Sequence, residues 1–388
     1  MSQISFPPHK SDQVTLKNWR TSPHNHWAFH HVREIVPTAP IYNAPTLSTP
    51  LDALNSTIDL SSLERLKAPL DADAVVVTKS GKIVHEWYAR GMSPRTPHIL
   101  MSVSKSLTGL LAGALIAHNI LNEDDKVTKF IPEVDDTAFH GASIRDLLDM
   151  RVGIEFDEDY LATSGPIIDY RYAANWNPIP QGVNPYDLRS FMTTLRSGSR
   201  KHGGSFQYVS PCTDLLAWVC ERASQTRFPD LFSEYIFKPM GAEFDGYVTV
   251  DRIGGSRAAG GICITARDLA RIGILLLRKG HMNGHQILPD HWLHDIIHSG
   301  DQDAWITGSF YDYFEEKNMH YRSFWYVHRG DYPLIHGFGI HGQYLFIDPL
   351  REISIAWFSS QPDPLDASKT NRLINAVNEF REGCASSL

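Results

Sequence analysis

Segments with strand-like composition occur near both ends of this chain, and the long stretch between them is helical in pattern. Residues 74–78 and 82–89 read AVVVT and KIVHEWYA, and the turn residues between them predict a β-hairpin. Residues 343–348 and 352–360, joined through Asp-Pro-Leu, predict a second hairpin. The economical arrangement is one antiparallel sheet that contains both hairpins and is covered by helices. The chain therefore predicts an α/β fold of the α+β type with an all-helical insertion.

The 388 residues divide into three predicted parts. Residues 1–70 are rich in Pro, Asn, Ser and Thr with little periodicity, which predicts an arm packed on the surface. Residues 71–119 and 246–388 together predict the sheet domain, and residues 120–245 predict the all-helical insertion. Helical apolar spacing is found in the segments 143–150, 187–195, 213–224 and 265–280.

Composition excludes several kinds of partner. Hydrophobic residues make up 42%, charged residues 21%, and the formal net charge is −8. No run of Lys and Arg is present that could neutralise a phosphate backbone, so nucleic acid is not an expected partner. No run of about 18 apolar residues occurs, and the N-terminal sequence lacks the apolar core of a secretory signal. We therefore expect a soluble cytoplasmic protein without membrane contact.

The cysteine and histidine patterns give no sign of a metal or another cofactor. The four cysteines, Cys212, Cys220, Cys263 and Cys384, are scattered without C-x-x-C spacing. They are expected to be reduced. Nineteen histidines are present, but H-E-x-x-H is absent. The sequence predicts neither a zinc site nor a disulfide framework.

The segment Met101–His118, MSVSKSLTGLLAGALIAH, predicts a buried helix with a polar first turn. Ser102 and Lys105 lie three residues apart, which places both side chains on one helical face. This S-x-x-K spacing suits nucleophilic catalysis if burial or a nearby cation lowers the pKa of the lysine enough for it to accept the serine proton. The helix N-terminus favours an anion, so the N–H of Ser102 is a candidate oxyanion donor.

A second proton carrier is needed to protonate the leaving group. The segment FQYVSPCTDLLAWV offers Tyr208 and Ser210 just before a predicted helix. A tyrosine in this position is more often a packing residue, so both interpretations of Tyr208 stay open on this segment alone.

Six segments in chain order resemble a known family of serine hydrolases. They are LKNWRTSPHNHWAFHHVREIVPTAPI, LMSVSKSL, FDEDY, FQYVS, GGICITARDLARIG and GFGIHGQYLFIDP. The chain resembles the class C β-lactamase and D,D-peptidase fold family, and within it the 6-aminohexanoate-dimer (nylon-oligomer) hydrolases. This resemblance implies an antiparallel sheet flanked by helices with an all-helical inserted domain.

The resemblance also implies roles for individual residues. Ser102 would be the acylating nucleophile, Lys105 its base, and Tyr208 the acid that protonates the leaving group. Gly337-Phe338-Gly339 matches the third motif, so Ile340 would supply the second oxyanion N–H beside that of Ser102. The implied substrate-binding residues are Tyr160, which would fold over the substrate, together with Ser210, Gly339, His341 and Asp169.

Three departures from the family pattern bear on the substrate. The third motif lacks the lysine of β-lactamases, and the nearby His336 and His341 are weak substitutes for a cation at pH 7. Tyr208-Val209-Ser210 replaces the Y-x-N of true β-lactamases. Residues 258–261 read AAGG where nylon-oligomer hydrolases read ANGG. These departures argue against β-lactamase activity and against specificity for the amide dimer.

The leading hypothesis is a serine hydrolase that cleaves small esters or linear amides through an acyl-enzyme at Ser102. A dedicated 6-aminohexanoate-dimer amidase is the alternative within enzymes. A non-enzyme alternative is a protein of the same fold that binds a ligand or partner in its groove. In the first two hypotheses the only expected partner is the small-molecule substrate, and the sequence does not distinguish a monomer from a homodimer.

Overall fold

A computed structural model describes residues 9–385, so residues 1–8 of the predicted arm lie outside the described part of the chain. The strands are β1 (Thr38–Ile41), β2 (Ala72–Lys79), β3 (Lys82–Tyr88), β4 (His98–Ile99), β5 (Gly246–Thr249), β6 (Ile262–Ile264), β7 (His281–Met282), β8 (His285–Gln286), β9 (Met319–Arg322), β10 (Trp325–His328), β11 (Leu334–Gly339), β12 (Gln343–Asp348) and β13 (Ile353–Ser359).

The helices are α1 (Asn25–Ala28), α2 (Ser61–Glu64), α3 (Val103–Ala117), α4 (Val127–Phe130), α5 (Ile144–Leu148), α6 (Pro166–Ala173), α7 (Leu188–Met192), α8 (Ser210–Ser224), α9 (Phe228–Phe232), α10 (Ala266–Leu277), α11 (Trp292–His298), α12 (Gln302–Ile306) and α13 (Ala367–Ala385). Within residues 120–245 the structure has the helices α4 to α9 and no strand. The helical segments predicted from apolar spacing are therefore present.

The largest sheet joins the two ends of the chain. Its order is β3-β2-β13-β12-β11-β10-β9, and every neighbouring pair is antiparallel. The N-terminal hairpin β2–β3 lies beside the C-terminal strand β13, as expected for one sheet that contains both predicted hairpins. β2 is buried along almost its whole length, and Val75 pairs with Trp357. Burial on both faces explains why β2 is a continuous apolar run instead of an alternating one.

A second sheet was not predicted from the sequence. Its order is β1-β5-β6-β4, and β1 comes from the segment that was expected to be only a surface arm. Trp19 and Phe29 of the same segment are also buried. β1 was missed because it is four residues long and contains Pro40, which a strand tolerates at the edge of a sheet.

Two helices fix the position of the site relative to the large sheet. The amphipathic helix α10 packs on β13, where Gly273 lies so close that a Cβ there would be 2.0 Å from the Ser354 hydroxyl. The buried helix α3 packs on β11 and also on α8 of the helical part. The N-terminus of α3 therefore lies where the sheet and the helical part of the chain meet.

Candidate active site

Ser102 lies in the turn between β4 and α3, at the N-cap position of the helix. The preceding residue, Met101, has φ of 44°, a left-handed conformation that is uncommon outside glycine. Such conformations concentrate at functional sites, where the surrounding structure enforces them. The sharp turn leaves Ser102 at the wall of a cleft while the body of α3 is buried.

Lys105 is placed next to Ser102 by one turn of α3. Its Nζ lies 2.7 Å from the Oγ of Ser102 and 2.7 Å from the carbonyl oxygen of Ala259. The residue is 1% exposed. Burial, assisted by repulsion from Arg257, lowers the pKa of Lys105 to about 7, although the carboxylates of Glu158 and Asp214 act in the opposite direction. A neutral amine in this position can donate to the Ala259 carbonyl and direct its lone pair at the serine hydroxyl.

The loop that carries the Ala259 carbonyl is held by a buried charged cluster. Asp214 on α8 accepts a hydrogen bond of 2.7 Å from the Ala259 N–H. The same carboxylate accepts hydrogen bonds from the Arg257 guanidinium and from the Tyr170 hydroxyl. Asp214 therefore orients the Ala259 peptide whose oxygen contacts Lys105. The sequence analysis missed this cluster because its members come from three distant segments.

Tyr208 lies on the other side of Ser102. Its side chain interacts with the hydroxyls of Ser102 and Tyr160, and the Lys105 Nζ lies 4.9 Å from the centroid of its ring. Burial and the charge of Glu158 raise the pKa of Tyr208 well above its ordinary value. The phenol is therefore protonated at neutral pH and can donate a proton to an adjacent atom.

Glu158, from the FDEDY segment, holds three groups of the site together. Its carboxylate accepts hydrogen bonds from the backbone N–H and the hydroxyl of Ser210. It also accepts a hydrogen bond of 3.0 Å from the Tyr160 hydroxyl. The sequence analysis named this segment for Tyr160 alone, and the acidic residue two positions earlier was the signal it overlooked.

Strand β11 passes close to the backbone of Ser102. A Cβ on Gly339 would lie 2.7 Å from the carbonyl oxygen of Leu100 and 3.0 Å from the Ser102 nitrogen, so a larger residue would force the backbone here to shift. Ile340, the next residue, lines the same cleft as Ser102. Within residues 9–385 neither the N–H of Ser102 nor that of Ile340 donates to a backbone carbonyl. Both N–H groups are thus free to bind an oxyanion in the cleft.

The cleft beside Ser102 is narrow, with a volume of about 30 Å³ available to the centres of water-sized molecules. Its aromatic and apolar wall is formed by Ile167, Tyr170 and Trp176. Three arginines also line it, namely Arg20, Arg171 and Arg257. The sequence analysis did not name any of the three.

Three of the substrate-binding residues named from the family pattern, Gly339, His341 and Asp169, are not among the residues that line the described cleft. Asp169 lies on α6, but the cleft is lined by its neighbours Tyr170 and Arg171. The side chain of His341 is buried against Phe29, and its Nδ1 lies 2.8 Å from the carbonyl oxygen of Gln361. Burial lowers the pKa of His341 to about 4, so the ring is neutral at pH 7.

His336 does not supply the missing cation either. It is fully buried, and its ring stacks on Tyr326 with centroids 5.2 Å apart. Burial lowers its pKa well below the ordinary value, so it is also neutral.

Residues 9–385 contain no group of three or more His, Cys, Asp or Glu side chains arranged to hold a metal ion. None of the helices described there combines the length and the apolar character that crossing a membrane requires. All four cysteines are free and buried.

Comparison with known proteins gives one family. The family model described as Beta-lactamase matches residues 64–379. The 6-aminohexanoate-dimer hydrolase of Paenarthrobacter ureafaciens is 34% identical over 364 residues, which cover 92% of this chain and 91% of that protein.

Solved structures give the same fold. A Bacillus anthracis protein provisionally described as a 6-aminohexanoate-dimer hydrolase superposes with a TM-score of 0.85 at 26% identity, covering 97% of this chain and 99% of that one. A family VIII carboxylesterase superposes with a TM-score of 0.59 at 13% identity, covering 86% of this chain and 99% of that one. At that identity the carboxylesterase supports the fold alone.

Proposed function

We propose that this chain, which belongs to the beta-lactamase family and is a serine hydrolase of that family, cleaves small esters through an acyl-enzyme on Ser102. It cleaves linear amides by the same route, but more slowly. The observation that carries the proposal is the 2.7 Å contact between the Oγ of Ser102 and the Nζ of the buried Lys105. A depressed lysine pKa beside a serine hydroxyl supports base-activated nucleophilic attack.

In the acylation step the Oγ of Ser102 attacks the carbonyl carbon of the substrate, and its proton passes to the neutral Nζ of Lys105. The carbonyl oxygen becomes an oxyanion, which the N–H groups of Ser102 and Ile340 stabilise. Tyr208 donates its proton to the leaving oxygen or nitrogen as the bond to the acyl carbon breaks. Proton transfer from Lys105 to Tyr208 restores the phenol.

In the deacylation step water takes the place of the leaving group. The oxygen of the water attacks the acyl carbon, and the pair formed by Tyr208 and Lys105 accepts one proton from the water. The same pair returns a proton to the Oγ of Ser102 as the carboxylic acid product departs. Glu158 supports both steps by holding Tyr160 and Ser210 beside Tyr208. No metal or organic cofactor takes part in this scheme.

Esters are the favoured substrates because an alkoxide or phenoxide leaves with less help than an amine does. An amine must be protonated as it departs, so an amide depends more strongly on the placement of Tyr208 and on a firmly held substrate. Ala259 offers no polar side chain for such an anchor, and the third motif Gly337-Phe338-Gly339 offers no lysine.

A panel of substrates tests the proposed substrate class. We expect p-nitrophenyl acetate and butyrate to be hydrolysed readily, 6-aminohexanoate dimer slowly or not at all, and cephalosporins negligibly. The values of kcat/KM for purified protein, with Ser102→Ala as the control for non-enzymatic hydrolysis, give the order. Equal rates on the dimer and on the short esters would contradict it.

The pH profile tests the role of Lys105. Only the neutral amine accepts a proton, and its pKa is about 7. The value of kcat/KM should therefore rise with pH through about 7 and fall about tenfold per pH unit well below it. A p-nitrophenyl ester assayed between pH 5 and 9, with correction for the ionisation of the product, gives the profile. A flat profile across this range would exclude Lys105 as the base.

The second candidate function is hydrolysis of 6-aminohexanoate dimer, and the 34% identity to the Paenarthrobacter ureafaciens enzyme favours it. The substrate panel separates the two candidates, since the same acyl-enzyme chemistry serves both. Failure of every ester and amide, together with no labelling of Ser102 by a fluorophosphonate, would instead favour a binding protein of this fold.

A further inference from the structure

The cleft beside Ser102 holds more guanidinium groups than carboxylates to neutralise them. Of the three arginines that line it, Arg257 is bound to Asp214. Within residues 9–385 no carboxylate oxygen lies within 4 Å of the guanidinium nitrogens of Arg20 or Arg171. Two of the three positive charges therefore have no direct counterion.

Arg20 has unused hydrogen-bonding capacity. Its Nη2 lies 2.5 Å from the Oδ1 of Asn177, whereas its buried Nε has no hydrogen-bond partner among residues 9–385. The guanidinium also stacks near the ring of Trp176, 5.5 Å from the centroid. Burial, together with repulsion from Arg171 and Arg257, lowers the pKa of Arg20 to about 9. An anion bound in the cleft would offset both the energetic cost of burying this charge and the repulsion from the other two arginines.

Arg171 is bound only to neutral acceptors. Its guanidinium donates to the carbonyl oxygens of Tyr160 at 3.0 Å, Asp159 at 3.4 Å and Ala162 at 3.5 Å. These contacts hold the guanidinium against the loop that carries Tyr160, but they do not compensate its charge. The carboxylates of Glu158 and Asp159 attract it at longer range, so the guanidinium keeps the capacity to bind an acidic group directly.

Glu158 is the one carboxylate among the residues that line the described cleft. Its oxygens accept hydrogen bonds from the Ser210 N–H and hydroxyl and from the Tyr160 hydroxyl, all neutral donors, and its charge attracts Arg171 and Arg257 at longer range. Asp214 is bound directly to Arg257. The three guanidinium groups outnumber these two carboxylates, so the cleft keeps a net positive charge, which favours an anionic ligand and repels an ammonium group.

The position of Tyr208 bears on which part of the substrate enters this cleft. Tyr208, the proposed acid for the leaving group, is not among the residues that line the described cleft, but its neighbours Tyr160 and Ser210 are. The leaving group must lie beside Tyr208, and therefore beside Tyr160 and Ser210. We assign the part of the cleft lined by Arg20 and Trp176 to the acyl part.

We propose that the acyl part of the natural substrate carries a carboxylate, which Arg20 and Arg171 bind. The enzyme then prefers ω-carboxyacyl esters or amides to neutral ones, and neutral ones to those with an ammonium group. This inference rests on the proposed acyl-enzyme function, because it assigns the arginine-lined cleft to the acyl part.

Three esters of matched chain length test the charge preference: mono-p-nitrophenyl adipate, its methyl ester, and p-nitrophenyl 6-aminohexanoate. Their acyl chains differ chiefly in a negative, neutral or positive end. We expect kcat/KM to be at least about tenfold higher for the adipate than for its methyl ester, and lowest for the ammonium ester. Equal values for all three would overturn the inference and leave the proposed hydrolase function standing.

Variants assign the preference to particular residues. Arg171→Gln and Arg20→Gln should each lower the ratio of kcat/KM for the adipate to that for its methyl ester by about fivefold or more. Arg20→Gln is the cleaner test of charge, because replacing Arg171 also removes the hydrogen bond that holds the loop of Tyr160. Arg372→Gln changes an exposed arginine on α13 and should leave the ratio unchanged. An unchanged ratio in both cleft variants would contradict the assignment.

Binding of the esters to a catalytically inactive variant tests the anion site independently of hydrolysis. In Ser102→Ala, isothermal titration calorimetry should show the adipate monoester binding at least about fivefold more tightly than its methyl ester. If the wild type hydrolyses no ester but this difference is present, the acyl-enzyme proposal fails and the anion site stands. Equal affinities would reject the anion site whatever the hydrolase activity.

Discussion

Ser102→Ala is expected to lower kcat for p-nitrophenyl butyrate by at least about 10³-fold, as loss of the nucleophile does in serine hydrolases. Alanine removes the only atom that forms the proposed covalent bond, whereas the oxyanion N–H groups and the cleft remain. The fold should persist, because Ser102 precedes α3 and its side chain does not cap the helix. Steady-state kinetics on the purified variant, with circular dichroism to confirm folding, give the measurement.

Labelling shows whether Ser102 itself is the nucleophile. A fluorophosphonate should add to the peptide that contains Ser102 in the wild type and not in Ser102→Ala. Ser104 and Ser106 lie in the same helical turns, but they are fully buried and their hydroxyls contact the backbone of Ile262 and Phe324. Mass spectrometry that placed the label on either of them would contradict the assignment.

The large sheet could be predicted because its strands carry strong local patterns. β2 and β3 flank a two-residue turn, and β12 and β13 are rich in β-branched and aromatic residues. The small sheet could not be predicted in the same way. Its four strands are two to four residues long, and two of its three pairings join distant segments, with Thr38 opposite Thr249 and His98 opposite Ile264. Such short strands lack the periodicity that identifies a strand in sequence.

Only the part of the candidate site that is local in sequence could be predicted from residue spacing. Ser102 is the N-cap of the helix that carries Lys105, so their proximity follows from local helical geometry. The hydrogen bond between Asp214 and Ala259 joins α8 to a distant loop, and no local pattern predicts it. Arg20 was overlooked for the same reason, since it comes from the N-terminal segment and reaches the cleft only after folding.

The second large effect concerns Lys105, for which arginine is the informative replacement. Lys105→Arg should lower kcat/KM for p-nitrophenyl butyrate by at least about 10³-fold, and raising the pH to 9 should not restore it, because a guanidinium stays protonated at any accessible pH. Lys105→Ala should lose a similar amount, but added small primary amines should recover part of it, since a free amine can occupy the space and accept the Ser102 proton. Lys129→Arg, which changes an exposed lysine on α4, should keep full activity.

Activity retained in Lys105→Arg would mean that another group takes the proton of Ser102. Because the Ala259 carbonyl lies 2.7 Å from the same Nζ, both Lys105 variants also change a contact with this loop, which Asp214 holds independently. Rescue of Lys105→Ala by amines, measured with its dependence on amine basicity, separates the loss of the base from the loss of that contact.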